Sequence, residues 1–224
     1  MSMEYRVVRS SRKTVAIHIT PEGGMEVRAP YRVTMRFIED FVNSKADWIE
    51  EKTAAQRART AQKQEFILED GAQLLLWGSR ITIVLKENIV APRYADGLLL
   101  LPQSVSQEER REMAESFYRS LARQELPKRL DAWSRTTGLK ACGVHITGAK
   151  TRWGSCSGKN SLSFSWRLVM APPAAVDYVL LHELCHTRHH NHSSGFWALV
   201  EHWMPDYKAR KQLLKEIQDT VLLL

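Results

Sequence analysis

His182, Glu183 and His186 form an H-E-x-x-H run inside the longer stretch His-Glu-Leu-Cys-His-Thr-Arg-His-His-Asn-His. On an α-helix, residues four apart share a face, with Cβ atoms about 5–6 Å apart. Two imidazoles so placed can each bring a nitrogen to about 2.0–2.1 Å from one Zn²⁺. Glu183 follows the first imidazole, so it stands beside such an ion rather than on it. From there its carboxylate can take a proton from a metal-bound water, whose pKa the metal lowers towards about 7. The chemistry this spacing points to is hydrolysis by an activated water.

A catalytic zinc keeps three protein ligands and one open position, so a third ligand is needed. Three residues stand open for it. His192 lies ten residues after His182, the interval of the H-E-x-x-H-x-x-G-x-x-H pattern, but the turning glycine of that pattern is His189 here. His190 would share the helix face, yet it would sit about 12 Å along the axis from His182, a poor fit to a tetrahedral ion. Glu201 could reach back from a second helix beginning near Ser193. Asn191 and Ser193 favour helix ends, and a break there would let His192 fold back. His192 is therefore preferred, with Glu201 second.

Three fixed letters also recur by chance on amphipathic helices, so context matters. Six of the eight histidines fall between residues 182 and 202, and residues 174–181 form a largely apolar run that would bury the helix and hold its ligands rigidly. His189 and His190 read as solvated or supporting residues, and Cys185 as a small buried filler.

The segment Lys150-Thr151-Arg152-Trp153-Gly154-Ser155-Cys156 precedes this helix. As a strand edge it could align a substrate backbone, with Lys150, Arg152 and Ser155 as substrate-binding residues and Arg152 as a bidentate anion clamp. Trp153 and Gly154 read more simply as packing against the helix. Between residues 132 and 176 there is no Asp or Glu, while Arg135, Lys140, Lys150, Arg152, Lys159 and Arg167 are present. A cleft bordered by this block favours anions; a basic face serving solubility alone is the plainer alternative.

The elements that must position these residues can be read from periodicity. Residues 5–8, 15–19 and 25–29 alternate as strands, with a turn from Pro21 to Gly24. From Thr34, a plausible cap, to about Gln62 a helical stripe contains Phe37, Ile38, Phe41, Val42, Ala46, Trp48 and Ile49. Strand signals return between residues 66 and 101, punctuated by Asp70-Gly71, Trp77-Gly78 and Asp96-Gly97. A long helix is expected from Ser106 to Gly138, cap to cap. Three strands, 143–146, 150–155 and 161–166, then lead into the H-E-x-x-H helix.

The expected fold is α+β: small antiparallel sheets with a catalytic domain carrying that helix. A boundary near residues 101–106 divides a β-rich region with one long helix, 1–104, from the catalytic domain, 105–224. The 224 residues suffice for a proper core, and 44% hydrophobic with 25% charged content is ordinary for a soluble protein. No apolar stretch approaches membrane-spanning length, and the polar, basic start lacks a signal-peptide core, so no membrane partner is expected. Cys142, Cys156 and Cys185 are too few and scattered for a disulfide framework, which fits a reducing cytoplasm. The apolar tail Val221-Leu222-Leu223-Leu224 is expected to pack.

Arg152-Trp153-Gly154-Ser155-Cys156, Leu162-Ser163-Phe164-Ser165-Trp166-Arg167-Leu168, the histidine run and Asn191-His192-Ser193-Ser194-Gly195-Phe196-Trp197 together resemble the YgjP-like metal-dependent hydrolases, relatives of the SprT-like and Wss1-like zinc proteases. Arg9-Ser10-Ser11-Arg12-Lys13-Thr14 and the helix over residues 41–48 extend the resemblance over nearly the whole chain. The resemblance implies a zincin domain, Zn²⁺ held by His182, His186 and His192, and Glu183 as general base.

Peptide or protein hydrolysis is the first functional reading. Hydrolysis of an anionic, phosphate-bearing ligand such as a nucleotide is the second, resting on the acid-free basic segment. A DNA-associated protease is the third, resting on basic residues alone, with no nucleic-acid recognition motif present. A purely structural zinc is the fourth and weakest, since Glu183 would be superfluous and such sites favour cysteine.

Overall fold

A computed structural model describes residues 4–20, 23–221 and 224. Three strands open the chain, β1 (Arg6–Ser10), β2 (Ala16–Ile19) and β3 (Met25–Pro30), with β3 central. Of the expected turn before β3, Pro21 and Glu22 lie outside the described residues, while Gly23 N–H donates to the Thr20 carbonyl. Val27 and Ala29 of β3 are fully buried against Ile38, Val42 and Ile49 of the next two helices, α1 (Met35–Asn43) and α2 (Ala46–Glu65).

The single helix expected across residues 34–62 is two helices. Thr34 caps α1 as expected, accepting from Phe37 N–H, and the helix then stops at Ser44, whose hydroxyl donates to the Phe41 carbonyl at 2.7 Å. Asn43 and Ser44 are residues whose side chains compete for backbone groups, which favours a helix end. The expected apolar stripe is also narrower: Ile38, Val42 and Ile49 are buried, while Phe37 and Trp48 are exposed.

The chain divides into two compact units, Met1–Phe66 and Ile67–Leu224. The division expected near residues 101–106 falls inside the second of them, at the join between a sheet and the long helix after it. That sheet comprises β4 (Gln73–Leu76), β5 (Ser79–Lys86), β6 (Arg93–Ala95) and β7 (Leu98–Pro102), in the order β4-β5-β7-β6. The long helix is α3 (Gln107–Thr137). Its capping box pairs Ser106 with Glu109, and Gly138 closes it with φ 72°. Sheet and helix share one core: the Tyr118 hydroxyl donates to the Leu75 carbonyl at 2.8 Å, and Arg110 donates to the Leu68 carbonyl at 2.8 Å.

A third sheet, β8 (Gly143–Thr147), β9 (Gly154–Cys156) and β10 (Ser161–Ser165), runs in the order β8-β10-β9. Each of the three sheets carries one parallel pair, namely β1–β3, β5–β7 and β8–β10. They are therefore mixed rather than wholly antiparallel, because in each the chain crosses over before returning beside an earlier strand. A short 3-10 turn, Trp166–Met170, leads to α4 (Pro173–Cys185), α5 (Ser194–Trp203) and α6 (Tyr207–Val221).

Two features fix the start of α4. Trp77 and Gly78 donate backbone N–H bonds to the Val169 and Met170 carbonyls at 2.8 and 3.0 Å. Gly78, at φ +80°, approaches Pro172 so closely that a Cβ there would lie 2.8 Å from its ring. Only glycine meets both demands at once. Arg129 of α3 adds an ion pair to Asp177 at 3.1 Å. Of the apolar tail, Val221 and Leu224 are buried, while Leu222 and Leu223 lie outside the described residues. Among the described residues no helix is long and apolar enough to cross a membrane.

Candidate metal centre

Helix α4 is apolar nearly all round: Ala175, Val176, Val179, Leu180, Leu181, Leu184 and Cys185 are all buried. Such a helix belongs inside a protein and cannot shift to suit a surface. It begins with Pro173 in its first turn, where a missing N–H costs nothing, and ends at Cys185 with His186 as its C-cap. His182 is thus on the last turn and His186 at the point where the helix stops. Cys185 is the buried filler expected, its thiol pushed up to about 12 by burial.

The chain then reverses. Arg188 and His189 both donate N–H bonds to the Cys185 carbonyl at 3.1 Å, and Ser193 caps α5 in an extended conformation, φ −69° and ψ 171°. Among the described non-glycine residues, positive φ is confined to Trp77, Asn88, Asp96 and Asn160. His189 therefore turns the chain in an ordinary conformation, which removes the need for the glycine of the longer motif. The reversal returns His192 to the helix.

The ring nitrogens converge. Nε2 of His192 lies 3.1 Å from Nε2 of His182 and 3.2 Å from Nε2 of His186. Nitrogens at 2.0–2.1 Å on a tetrahedral ion stand about 3.3 Å apart, so the three fit one metal ion. Potential ligand atoms of these three residues all lie within 4.8 Å of one another. Neither His190 nor Glu201 joins a metal-sized group among the described residues.

Tautomers agree with that fit. His186 Nδ1 lies 2.8 Å from the His189 carbonyl oxygen, which can only accept, so Nδ1 carries the proton and Nε2 offers a lone pair. His182 Nδ1 lies 3.5 Å from the Tyr178 hydroxyl. Burial, then His186, His192 and Lys211, push the His182 imidazole down to about 3, and burial lowers His186 as well. Neutral imidazoles are the form that binds metal.

Packing fixes the rings further. Phe196, fully buried, stacks on His186 with centroids 4.3 Å apart and planes at 23°. Trp197 stacks on His192 at 5.5 Å and on Tyr207 at 5.4 Å.

Glu183 faces the edge strand β9. A Cβ on Gly154 would lie 2.6 Å from Glu183 Cγ. Burial pushes the Glu183 carboxyl up to about 7, with the positive charge of Arg152 opposing. A carboxyl balanced near neutral pH can both take and return a proton.

The expected substrate-binding residues separate. Ser155 lines a cleft of about 270 Å³ together with Glu183 and the three histidines. Lys150 and Arg152 line instead a cavity of about 20 Å³ beside Ser165 and Arg167. They do so because residues 150–153 form no strand: the ladder spans only Gly154 to Cys156, and Ser165 reaches back to them with bonds to the Trp153 and Ala149 carbonyls at 2.8 and 2.7 Å. The strand expected over 150–155 is thus shorter and shifted.

Compared with known families, the chain matches the model of the YgjP-like metallopeptidase domain over residues 13–217. The chain belongs to this family. Membership makes the YgjP-like chain a metal-dependent peptidase by family, with a peptide as its class of substrate. Among solved structures, the crystal structure of the metallopeptidase zymogen abylysin of Pyrococcus abyssi is 23% identical, covering 42% of this chain and 95% of that one, with a TM-score of 0.38. A comparison with curated proteins finds no match.

Several residues that shape the site of this YgjP-like chain escape a reading of its sequence. Gly154 reads there as packing alone, and Tyr178, Phe196 and Trp197 have no role beside the metal; His189, read as a solvated or supporting residue, supports His186 through its backbone carbonyl. The signal for Phe196 and Trp197 is their position, a few residues after His192 and just inside a capped helix.

Proposed function

We propose that this protein is a zinc-dependent peptidase in which His182, His186 and His192 hold the ion and Glu183 is the general base. The observation that carries this reading is the convergence of three imidazoles, with His192 Nε2 at tetrahedral-edge spacing from the Nε2 atoms of both His182 and His186, beside a buried carboxyl. Zinc bound there supplies Lewis acidity towards a carbonyl oxygen and lowers the pKa of a water in its open position.

The residues of the chain do the rest. Glu183 takes the proton of the attacking water on a carboxylate oxygen and passes it to the departing amine. Gly154, having no side chain, leaves that carboxylate room to turn between the two positions. β9 is an edge strand of its sheet and borders the cleft, so an extended peptide can add to it by backbone hydrogen bonds. His189 holds the His186 tautomer through its carbonyl.

A phosphate-bearing ligand or nucleic acid would draw on Lys150 and Arg152, which line a neighbouring cavity of only about 20 Å³. The family supports the peptide. The test is Glu183→Gln, assayed on a peptide mixture with zinc content measured in parallel. Hydrolysis should fall by at least about a hundredfold, the contribution typical of a general base, with zinc retained. Undiminished hydrolysis would remove Glu183 from the mechanism.

A further inference from the structure

The larger cleft beside the histidines, about 520 Å³, has a wall that hydrolysis itself does not use. Helix α6 turns Lys211, Leu214, Lys215 and Gln218 towards it, residues three and four apart as one helix face requires. Leu214 is buried, as a packing position should be. Lys211 and Lys215 are exposed and charged on the very side where an amphipathic helix places apolar residues. Among the described residues neither lysine forms an ion pair.

Their surroundings fix where the charge sits. Lys211 Nζ stands 5.7 Å from the centroid of Trp197, and that ring stacks on His192. A cation over an aromatic face is held by the ring quadrupole. The ammonium is therefore stationed one ring away from the third histidine. Tyr178, Val179 and Trp153 supply apolar walls, and Glu183 is the one carboxylate among the described lining residues. The volume lies within the range of pockets that enclose small ligands, about 300–1,000 Å³.

Resting on the peptidase reading above, we propose that this cleft receives the residue flanking the scissile bond and that Lys211 and Lys215 select a carboxylate on it. The carboxylate is that of an Asp or Glu side chain or of the peptide's own C-terminus. The aromatic walls take the aliphatic stem, the ammonium groups pair with the carboxylate, and a Lys or Arg at the same position is repelled. Selection then works through attraction and exclusion together. One exposed charge pair contributes up to about fivefold in kcat/KM.

The experiment uses peptides identical except for Ala, Glu or Lys on either side of the scissile bond, each ending as free acid or amide. Hydrolysis is measured with the zinc-loaded protein. Binding of the same peptides to Glu183→Gln is read from tryptophan fluorescence, since Trp153 and Trp197 line the cleft. Carboxylate peptides should exceed the Ala amide by about fivefold, and Lys peptides should fall below it. The Lys211→Gln, Lys215→Gln double variant should keep its zinc content and melting temperature while losing this ranking, and the Lys211→Glu, Lys215→Glu variant should reverse it. A preference confined to free acids assigns the carboxylate to the chain terminus, and one that persists in amides assigns it to the side chain. Equal values for all peptides overturn the proposal. If no peptide is cleaved but binding still ranks carboxylates first, the subsite stands and the peptidase reading falls.

Discussion

Gly154 and Glu183 are in contact across the strand–helix boundary: a Cβ on Gly154 would meet Glu183 Cγ at 2.6 Å and Cδ and Oε1 at 3.0 Å. The strand and the carboxylate-bearing turn of α4 can approach only because residue 154 has no side chain. Its φ is not positive, so space and not backbone conformation demands glycine here.

Gly154→Ala should therefore push the Glu183 side chain aside while leaving the histidines alone. Peptide hydrolysis is expected to fall by roughly a hundredfold, as for loss of a positioned base, with zinc content unchanged. Wild-type hydrolysis by this variant would mean that the close approach has no part in placing the base.

The two perturbed groups of the site give the metal-free protein a distinctive pH response. Burial raises Glu183 from 4.5 to about 7, so its contribution to stability is present below pH 4.5 and lost as pH rises through 7. Burial depresses His182 from 6.5 to about 3, so its contribution is present above pH 6.5 and lost as pH falls towards 3. With zinc chelated, Glu183→Gln should melt above wild type by a margin that grows between pH 4.5 and 7, reaching about 3 kcal/mol. A margin that stays flat across this range would show that Glu183 is not desolvated.

Phe196 is fully buried and stacks on the His186 ring. Truncation to Ala should cost about 3–5 kcal/mol and weaken zinc binding by freeing that ring. Thermal melting and zinc titration of Phe196→Ala, with Phe196→Leu as the milder case, check both effects. Unchanged zinc affinity in a destabilised Phe196→Ala would leave the ring a packing role only.

Local rules make parts of this chain legible from its sequence. The capping box of Ser106 and Glu109 and the left-handed Gly138 closing α3 are short-range features, and the structure has both. The helix carrying His182 and Glu183 is readable for the same reason. The loop after that helix depends on contacts made beyond its end: residues 187–193 reverse because His189 donates to the Cys185 carbonyl and its own carbonyl receives His186 Nδ1. No periodicity encodes that path, so the sequence leaves three candidates open for the third ligand. The parallel pairing of β8 with β10 joins Gly143 to Ser161 across an intervening strand, a register that alternation alone does not specify. Lys150 and Arg152 are close to the site in sequence, but the bonds of Ser165 to the Trp153 and Ala149 carbonyls hold that stretch out of the ladder.

The most direct test of the three-histidine site is the zinc content of purified wild type against His192→Ala, each measured after reconstitution with excess zinc and desalting. Roughly one ion per chain in wild type, and clearly less in the variant, is the expected result for a three-ligand catalytic site. Wild type that retains no zinc, or a His192→Ala variant that retains as much as wild type, would contradict it.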